Sequence, residues 1–323
     1  MDAMTEIAPL IDVRGLAKYF GRPGSKAITR AVDGLDFRLA RGETVGLLGE
    51  SGSGKTTTGR LLLRLTEPST GEIRFDGTDI ASFRGSALRS FRARAQLVFQ
   101  NPFDALDPRF TVRQSLAEPL RNARVPKHQR ETSMRAALDR VHLPGTEATL
   151  EKYPHQMSGG QLQRVVLARA LILDPDFIVA DEPVSMLDVS VRAGILNVLR
   201  EVRDALRLTA IYISHDVALV RYVCARTMVM YRGKIVEDGP TAELVRSPRH
   251  PYTVALIGAV PVPRVEQNRE PIPIRRSQGG RIDVTIGCRF RDRCLHAHDR
   301  CTAEEPTLRV VARDHRTACH LDL

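Results

Sequence analysis

Gly49-Glu50-Ser51-Gly52-Ser53-Gly54-Lys55-Thr56 is the stretch that decides the fold, because it has the full spacing of a phosphate-binding loop. The apolar run Val45–Leu48 precedes it, and leucines at helical spacing follow it in Thr57–Leu65. Glycines let backbone N–H groups point at phosphate oxygens, and the helix N-terminus adds its positive dipole end. We therefore predict nucleotide binding, with Lys55 reaching the β- and γ-phosphates and the Thr56 hydroxyl binding Mg²⁺.

Outside the loop, short apolar runs alternate with helical patterns. Strands are predicted at Glu72–Phe75, Leu97–Phe99, Phe177–Ala180 and Ala210–Ile213. Helices are predicted at Leu162–Leu173 and Val191–Leu206, and a closing hairpin at Met228–Tyr231 with Lys234–Val236. This alternation predicts an α/β fold in which a parallel sheet has helices on both faces.

The strand Phe177–Ala180 runs directly into two carboxylates, Asp181 and Glu182. Neighbouring residues of a strand point to opposite faces, so both can serve one site only if the strand ends here, and Pro183 favours that end. We expect Asp181 to belong to the Mg²⁺ shell and Glu182 to polarise the attacking water. His215 follows the next predicted strand, at the sheet edge where open α/β sheets bind ligands, and is a candidate donor to the γ-phosphate.

Composition narrows the class of protein. Of the 323 residues, 42% are hydrophobic and 27% charged, as in an ordinary globular protein. No apolar run approaches the ~20 residues that span a bilayer, and the acidic start Met1–Leu10 does not resemble a signal peptide, so we expect a cytoplasmic protein. The net charge of +10 is compatible with nucleic acid, an anionic membrane surface, nucleotide phosphates or simply a solvated basic surface.

A second glycine-containing stretch, Met157-Ser158-Gly159-Gly160-Gln161, opens a predicted helix between the loop and the acidic strand. Ser158 can cap this helix, and the two glycines allow close backbone approach, so its N-terminus offers a second anion site. The stretch resembles the signature sequence of ATP-binding-cassette (ABC) proteins, in which the first residue is usually Leu. In that family the second site serves a partner subunit, and two ATP molecules are held between two cassettes arranged head to tail.

Further residues match the ABC family in the correct order between Val13 and Glu243. Gln100 resembles the glutamine that links the γ-phosphate to a helical subdomain, and Ser185–Asp188 resembles the loop that communicates between the ATP sites. Phe20 stands where the family places an aromatic ring on the adenine, with Tyr19 as the alternative. The resemblance thus implies that the nucleotide-binding residues are Phe20, Gly49, Glu50, Ser51, Gly52, Ser53, Gly54, Lys55, Thr56, Thr57, Gln100, Ser158, Gly159, Gly160, Gln161, Asp181 and Asp188. The implied Mg²⁺ ligands are Thr56, Gln100 and Asp181, and the implied catalytic residues are Lys55, Gln100, Glu182 and His215.

The tail resembles the C-terminal extension of oligopeptide and dipeptide permease ATPases, through His250-Pro251-Tyr252-Thr253 and a segment with cysteines after Gly287. Phe103–Arg109 and Tyr153–Gln156 resemble the same subfamily. This resemblance implies an ATPase that energises peptide import from the cytoplasmic face of the inner membrane. It implies two transmembrane permease subunits, a second ATP-binding subunit that is a copy or a paralogue, an indirect solute-binding partner and no nucleic acid.

Four cysteines, Cys288, Cys294, Cys301 and Cys319, are separated by five, six and seventeen residues. These intervals fit structural zinc poorly, since zinc sites favour two to four residues within a Cys pair. Some members of the resembling subfamily carry a [4Fe–4S] cluster here, and we expect these four thiolates to ligate one. Zinc and reduced structural thiols remain the alternatives, and Cys224 is expected to be a core residue.

The expected organisation is a cassette at 1–248 with a helical subdomain at about 103–165, followed by a proline-rich linker after Arg249 and a Cys-bearing extension within 249–323. The rival function is an ABC ATPase that acts on DNA or ribosomes. The interval between the loop and the signature is about 100 residues without heptads, and only one cassette is present, so transport is favoured.

Overall fold

The computed structural model describes residues 8–21, 28–259, 274–275 and 286–321. The strands in this part of the chain are β1 (Ile11–Phe20), β2 (Thr29–Leu39), β3 (Thr44–Leu48), β4 (Thr70–Phe75), β5 (Thr78–Asp79), β6 (Ala95–Val98), β7 (Phe177–Asp181), β8 (Thr209–Ser214), β9 (Arg226–Tyr231), β10 (Lys234–Pro240), β11 (Arg309–Ala312) and β12 (His315–Thr317).

The helices of the same part of the chain are α1 (Lys55–Leu62), α2 (Gly85–Arg94), α3 (Pro102–Ala105), α4 (Val112–Asn122), α5 (Lys127–Arg140), α6 (Glu147–Leu150), α7 (Gly159–Leu171), α8 (Val189–Leu206), α9 (Val217–Val223), α10 (Thr241–Arg246), α11 (Pro251–Gly258) and α12 (Asp299–Ala303). Short 3-10 turns lie at Ile80–Ser82 and Pro154–Gln156.

The larger sheet has the strand order β11-β12-β10-β9-β3-β8-β7-β6. Its five strands from β9 to β6 are parallel to one another, as the alternation of apolar runs and helices predicts. The strands β10, β12 and β11 continue it in antiparallel fashion. The parallel arrangement brings the carboxyl ends of β3, β7 and β8 to one edge, where the candidate site residues follow them.

A smaller antiparallel sheet, in the order β2-β1-β4-β5, packs on one face of the larger sheet together with α1. Strand β8 shows how the two cores are divided, since its successive side chains point to opposite faces. Ile211 and Ile213 lie in the core shared with the smaller sheet, whereas Ala210 and Tyr212 lie in the core under α7, α8 and α9. Because the parallel strands are buried on both faces, their sequences are continuous apolar runs.

Four helices, α3 to α6, lie between β6 and the start of α7. Helix α4 begins with a capping box, which is formed by the Thr111 side chain and Gln114. Leu116, Leu120 and Leu138 are among the side chains that join these helices to the core of the larger sheet.

One expectation about the tail is corrected. The chain is helical at Pro251–Gly258, where an extended proline-rich linker was expected after Arg249. Pro251 occupies the first helical turn, where a proline is tolerated, and the His250 side chain accepts a hydrogen bond from the Tyr252 amide as the N-cap. The remainder of the expected linker, 260–273, lies outside the described residues.

Among the helices that the structure describes, none has the length and apolar character needed to cross a bilayer.

Candidate nucleotide-binding site

The phosphate-binding loop connects β3 to α1 and depends on glycine at two positions. Gly49 has φ 155° and Gly54 has φ 108°, both in the region that disfavours residues with a side chain. A Cβ at Gly49 would lie 2.3 Å from the Met230 carbonyl oxygen, and one at Gly54 would lie 2.0 Å from that of Ala31. The loop is therefore pressed against neighbouring backbone, with no room for larger residues.

Lys55 is buried at the start of α1, with its ammonium group turned toward the loop. Its Nζ donates hydrogen bonds to the carbonyl oxygens of Gly49 at 2.7 Å and Glu50 at 2.9 Å. Burial lowers the pKa of Lys55, while the carboxylates of Glu182 and Asp181 oppose that shift. The cation thus lies in the middle of the loop and close to both acidic residues at the end of β7.

Thr56 and Asp181 meet as the sequence predicts, since the Thr56 hydroxyl donates to Asp181 Oδ1 at 3.3 Å. Burial raises the pKa of Asp181, and the hydrogen bond from Thr56 opposes that shift. A hydroxyl and a carboxylate are the hard oxygen donors that Mg²⁺ takes alongside phosphate oxygens and water. The buried Ser53 hydroxyl in the same loop has no hydrogen-bond partner in the described part of the chain. These residues fit a nucleotide phosphate with its Mg²⁺.

Glu182 lies immediately after the end of β7, and its φ of 47° turns the chain away from the strand direction. One carboxylate oxygen lies 2.9 Å from His215 Nδ1, and the other accepts a hydrogen bond from Gln100 Nε2 at 3.1 Å. Three residues predicted from separate motifs therefore meet at one carboxylate. Gln100 contacts Glu182 rather than the Thr56–Asp181 pair, so its role as a Mg²⁺ ligand stays a prediction.

A cleft of about 460 Å³ opens beside this carboxylate. Gly49, Glu50, Glu182 and His215 line one part of it. Ser185 and Arg192 line another part, and the Ser185 hydroxyl donates to the Glu182 carbonyl oxygen at 3.1 Å. The volume of the cleft leaves room for water next to Glu182.

The signature stretch begins α7 as the sequence predicts. Ser158 is the N-cap and forms a capping box with Gln161, through Ser158 Oγ to the Gln161 amide and Gln161 Oε1 to the Ser158 amide. A Cβ at Gly160 would lie 2.5 Å from Val191 Cγ1, so α7 and α8 approach closely at this point. Asp188, the N-cap of α8, is exposed beside this contact. In the described chain no hydrogen bond joins residues 158–161 to the phosphate-binding loop.

The two candidates for an adenine contact differ in their surroundings. Phe20 is 46% exposed, with the Lys18 ammonium over its ring, and is free to contact a base. The Tyr19 hydroxyl donates to Asp33 at 2.6 Å, and the Arg30 guanidinium lies over its ring. Tyr19 is thus engaged within the protein, and the adenine contact of Phe20 stays a prediction.

Two residues at the site escaped sequence reasoning because they lie far along the chain. The Glu50 amide donates to Tyr252 Oη at 2.8 Å, and both Glu50 carboxylate oxygens are bound by the Arg293 guanidinium at 2.8 and 3.0 Å. Tyr252 lies in a stretch noted only for its family resemblance, and nothing near Arg293 in the sequence points to the loop. Neither residue has a local pattern that could have revealed this contact.

The prediction of a [4Fe–4S] cluster is wrong. Cys288, Cys294, Cys301 and Cys319 are buried free thiols. Within the described residues, no three His, Cys, Asp or Glu side chains form a group that could hold a metal ion, which also removes the zinc alternative. Burial raises the pKa of Cys288 to about 11 and also raises the pKa of Cys294 and Cys319.

Two family models match the chain. The model described as ABC transporter matches residues 32–185, and the one described as oligopeptide/dipeptide transporter, C-terminal region, matches residues 236–301. A putative peptide import ATP-binding protein of Brucella ovis is 46% identical over 320 residues, covering 99% of both chains. The dipeptide transport ATP-binding protein DppF of Haemophilus influenzae is 38% identical and covers 98% of both chains.

Solved structures agree with this assignment. The cassette MJ0796, in a dimeric post-hydrolysis state bound to ADP and Pi, is 26% identical with a TM-score of 0.64, covering 72% of this chain and 98% of its own. CbiO1 of Clostridium perfringens, part of the transporter complex CbiONQ, is 27% identical with a TM-score of 0.65, covering 77% of this chain and 95% of its own. With its relatives matching from end to end and its phosphate-binding loop, acidic strand end and signature helix in place, the chain belongs to the ABC ATPases, the ATP-hydrolysing subunits of ABC transporters.

Proposed function

We propose that this chain binds and hydrolyses ATP to drive import of oligopeptides or dipeptides through separate transmembrane subunits. The observation that carries the proposal is the meeting of Gln100, Glu182 and His215 beside the phosphate-binding loop, in a chain whose end-to-end relatives are named for peptide import. The match of residues 236–301 to the oligopeptide/dipeptide C-terminal model supports the same substrate class.

In the proposed chemistry, the loop amides and Lys55 bind the phosphates, and Lys55 neutralises charge on the group being transferred. Thr56 and Asp181 would hold Mg²⁺, which supplies further charge neutralisation when bound. The Lys55 ammonium already lies within hydrogen-bond reach of the loop carbonyls, so it binds phosphate oxygens by exchanging those contacts.

Glu182 is the proposed general base, because its side chain borders the cleft and can accept a proton from the attacking water. Gln100 donates to one of its oxygens and His215 contacts the other, which fixes the direction of the carboxylate. A protonated His215 ring can donate from both nitrogens, so Nε2 is available to a phosphate oxygen while Nδ1 holds Glu182.

Head-to-tail pairing of two cassettes completes each site in this proposal. The capped N-terminus of α7, where Ser158 and Gly159 are exposed, is the phosphate-binding element offered to a partner. Asp188 lies on the same exposed side of the chain and would communicate between the two sites. The partner cassette is a second copy or a paralogue.

Docking of the transmembrane subunits is proposed on the surface beside Gln100, where Phe99 and Phe103 are 38% and 59% exposed. A groove of about 650 Å³ between α2 and α4 lies in the same part of the fold and is lined by arginines with no ion pair among the described residues, namely Arg89, Arg92, Arg121 and Arg124. Four unpaired cations call for an anionic partner, so we assign the groove to an acidic segment of a transmembrane subunit.

The proposed organisation is a cassette at 1–248, with a helical subdomain at about 103–165 that provides part of this docking surface, and a C-terminal part at 249–323. In the assembled importer the chain would lie on the cytoplasmic face of the membrane. A solute-binding protein on the opposite face would deliver peptide to two transmembrane subunits without contacting this chain.

The test is co-expression with candidate transmembrane subunits and reconstitution of the purified complex into vesicles. We expect co-purification, ATP hydrolysis that rises when solute-binding protein and peptide are added, and ATP-dependent accumulation of labelled dipeptide. Lys55→Ala is the control that abolishes hydrolysis and uptake together. Stable assembly with hydrolysis that peptides never stimulate, in vesicles that accumulate none of them, would contradict the substrate class. No specific observation favours the rival action on DNA or ribosomes.

A further inference from the structure

Glu50, the second residue of the phosphate-binding loop, is held from outside the cassette strands by two residues of the C-terminal part of the chain. Arg293 binds both carboxylate oxygens through Nη1 and Nη2, and Tyr252 Oη accepts the Glu50 amide hydrogen. Arginine recognises carboxylates best in this two-pronged geometry, which fixes orientation as well as distance. Side chain and backbone of one loop residue are therefore both restrained.

Arg293 is itself held in place by aromatic rings. Its guanidinium lies 6.0 Å from the ring centre of Tyr231 and 5.7 Å from that of Phe290. The rings of Tyr231, Tyr252 and Phe290 contact one another with centres 4.5 to 5.5 Å apart. Both residues that grip Glu50 thus stand on one packed cluster, whose side chains lose little further freedom when they bind the loop.

A second contact anchors the same C-terminal segment independently of Glu50. Buried Arg289 forms a salt bridge with Asp33 of β2 and donates to the Arg232 carbonyl oxygen. Next to Arg232, the Gly233 amide donates to the Ser53 carbonyl oxygen of the loop at 2.8 Å. Because Arg289 fixes the segment on the cassette, the position of Arg293 does not depend on the loop that it grips.

The restrained residue directs the rest of the loop. The Glu50 carbonyl oxygen accepts hydrogen bonds from the Ser53 amide at 3.2 Å and from Lys55 Nζ at 2.9 Å. Rotation of the Glu50 peptide would therefore move the amide at Ser53 and the ammonium group that we assign to phosphate binding. Binding groups fixed in advance avoid the entropic cost of ordering them on the ligand.

We propose that Arg293 and Tyr252 are positioning residues for the ATP site: acting through Glu50, they hold the phosphate-binding loop in its nucleotide-binding conformation. The C-terminal segment 286–321 is then part of the support of that site. The inference rests on the proposed binding and hydrolysis of ATP, and it assigns neither residue a contact with the nucleotide.

The first test compares Arg293→Gln with Arg300→Gln in the full-length protein. Arg300 belongs to the same segment, but its side chain is 61% exposed and, among the residues that the structure describes, bonds only with Glu304. For Arg293→Gln we expect the Kd for ATP and the KM to rise about threefold to tenfold while kcat changes less than about twofold, since a partly exposed charge-assisted pair is lost and the reacting groups are untouched. Arg300→Gln should match the wild type, and Arg293→Lys should recover only part of the loss.

A double-mutant cycle with Glu50→Gln separates positioning from general damage. If the two side chains act as one unit, Glu50→Gln with Arg293→Gln should weaken ATP binding no more than the weaker-binding single variant. Multiplicative losses would overturn the proposal, as would a wild-type Kd for Arg293→Gln or an equal loss in Arg300→Gln.

Tyr252→Phe gives a readout that does not need altered activity. It keeps the ring in the aromatic cluster and removes the acceptor of the Glu50 amide, so hydrogen exchange should accelerate at that amide while amides of α7 keep their protection. Unchanged exchange at Glu50 would overturn the role of Tyr252. A wild-type protein that binds no ATP would instead contradict the proposed function, and the exchange experiment would still report on the contact.

Discussion

The phosphate-binding loop and the cysteine-bearing C-terminal segment were both interpreted from residue spacing, with opposite outcomes. The loop lies between β3 and α1, with left-handed glycines at Gly49 and Gly54. The four cysteines of the tail are buried free thiols that form no metal-binding group within the described residues.

The difference lies in what the spacing has to specify. The loop is a local structure, in which eight consecutive residues fix backbone angles, amide directions and the start of a helix. A metal site in the tail would need side chains from separate turns to converge, and convergence is decided by packing that intervals of five, six and seventeen residues leave open. Residue spacing therefore predicts a site well where consecutive backbone groups form it, and poorly where side chains from distant turns must converge.

The largest expected effect is on ATP turnover and comes from changing Glu182, the proposed general base at the end of β7. Glu182→Gln should reduce ATP turnover roughly 10²- to 10⁴-fold, because an amide cannot accept the proton of the attacking water. ATP affinity should stay close to that of the wild type, measured by titration calorimetry. Glu201→Gln on α8, at an exposed position, is the matched control. Turnover near the wild-type rate would show that Glu182 is not the general base, and that the prediction at the acidic strand end is wrong as the cluster prediction is.

A smaller effect is expected on the free energy of unfolding when the glycines of the loop are replaced, because the loop depends on their backbone angles. Gly54→Ala should lower the free energy of unfolding by roughly 2–5 kcal/mol, since its Cβ would lie 2.0 Å from the Ala31 carbonyl oxygen and its φ is 108°. At Gly52, where φ is 78° and no described residue lies within 4 Å of a Cβ, alanine should cost only about 1–2 kcal/mol of strain. Denaturant unfolding compares the two, and equal losses would contradict the steric argument.

The attachment of the tail can be tested through pH. Burial alone would raise the pKa of Asp33, but hydrogen bonds from Tyr19 and Arg289 outweigh it and lower the pKa to about 2. Because the folded-state pKa lies below the unfolded value of about 4, this contribution is complete above pH 4 and is lost as pH falls toward 2. We expect it to reach at most about 2 kcal/mol.

Asp33→Asn should flatten that part of the stability profile, followed by urea unfolding at several pH values. Asp314→Asn, at an exposed position, serves as the control of equal charge. If both variants kept the wild-type slope between pH 4 and 2, the Arg289–Asp33 pair would not be what fastens the tail to the cassette.

The smallest expected effects are those of the cysteines. Each Cys→Ala substitution in the tail should cost about 1 kcal/mol, as for a small buried apolar residue, and Cys224→Ala should behave in the same way. The losses should add for well-separated pairs, and a chelator should leave the unfolding midpoint unchanged. Stoichiometric iron and sulfide in protein purified anaerobically would contradict the finding that the four cysteines hold no metal. So would a single Cys→Ala substitution that removes the whole stabilisation.

How far the sequence predicts the structure depends on the range of each interaction. The helix cap at Ser158 and the end of β7 before Glu182 depend on neighbours within three residues, and the local pattern predicts the first and favours the second. The prolines after Arg249 predict an extended linker and so miss helix α11, because proline also suits a first helical turn. The grip of Arg293 on Glu50 joins residues 243 positions apart, and only the folded chain reveals it.

The close approach of α7 and α8 at Gly160 and Val191 has a mechanical consequence. Because Gly160 has no side chain, Val191 of α8 packs directly against the start of α7, so neither helix start can tilt without pushing the other. In the proposed head-to-tail pair, a cassette that released its partner's nucleotide at Ser158 would in the same displacement move Asp188 and the turn leading back to Glu182. Release at one nucleotide would then be transmitted to the other site by this direct helix contact.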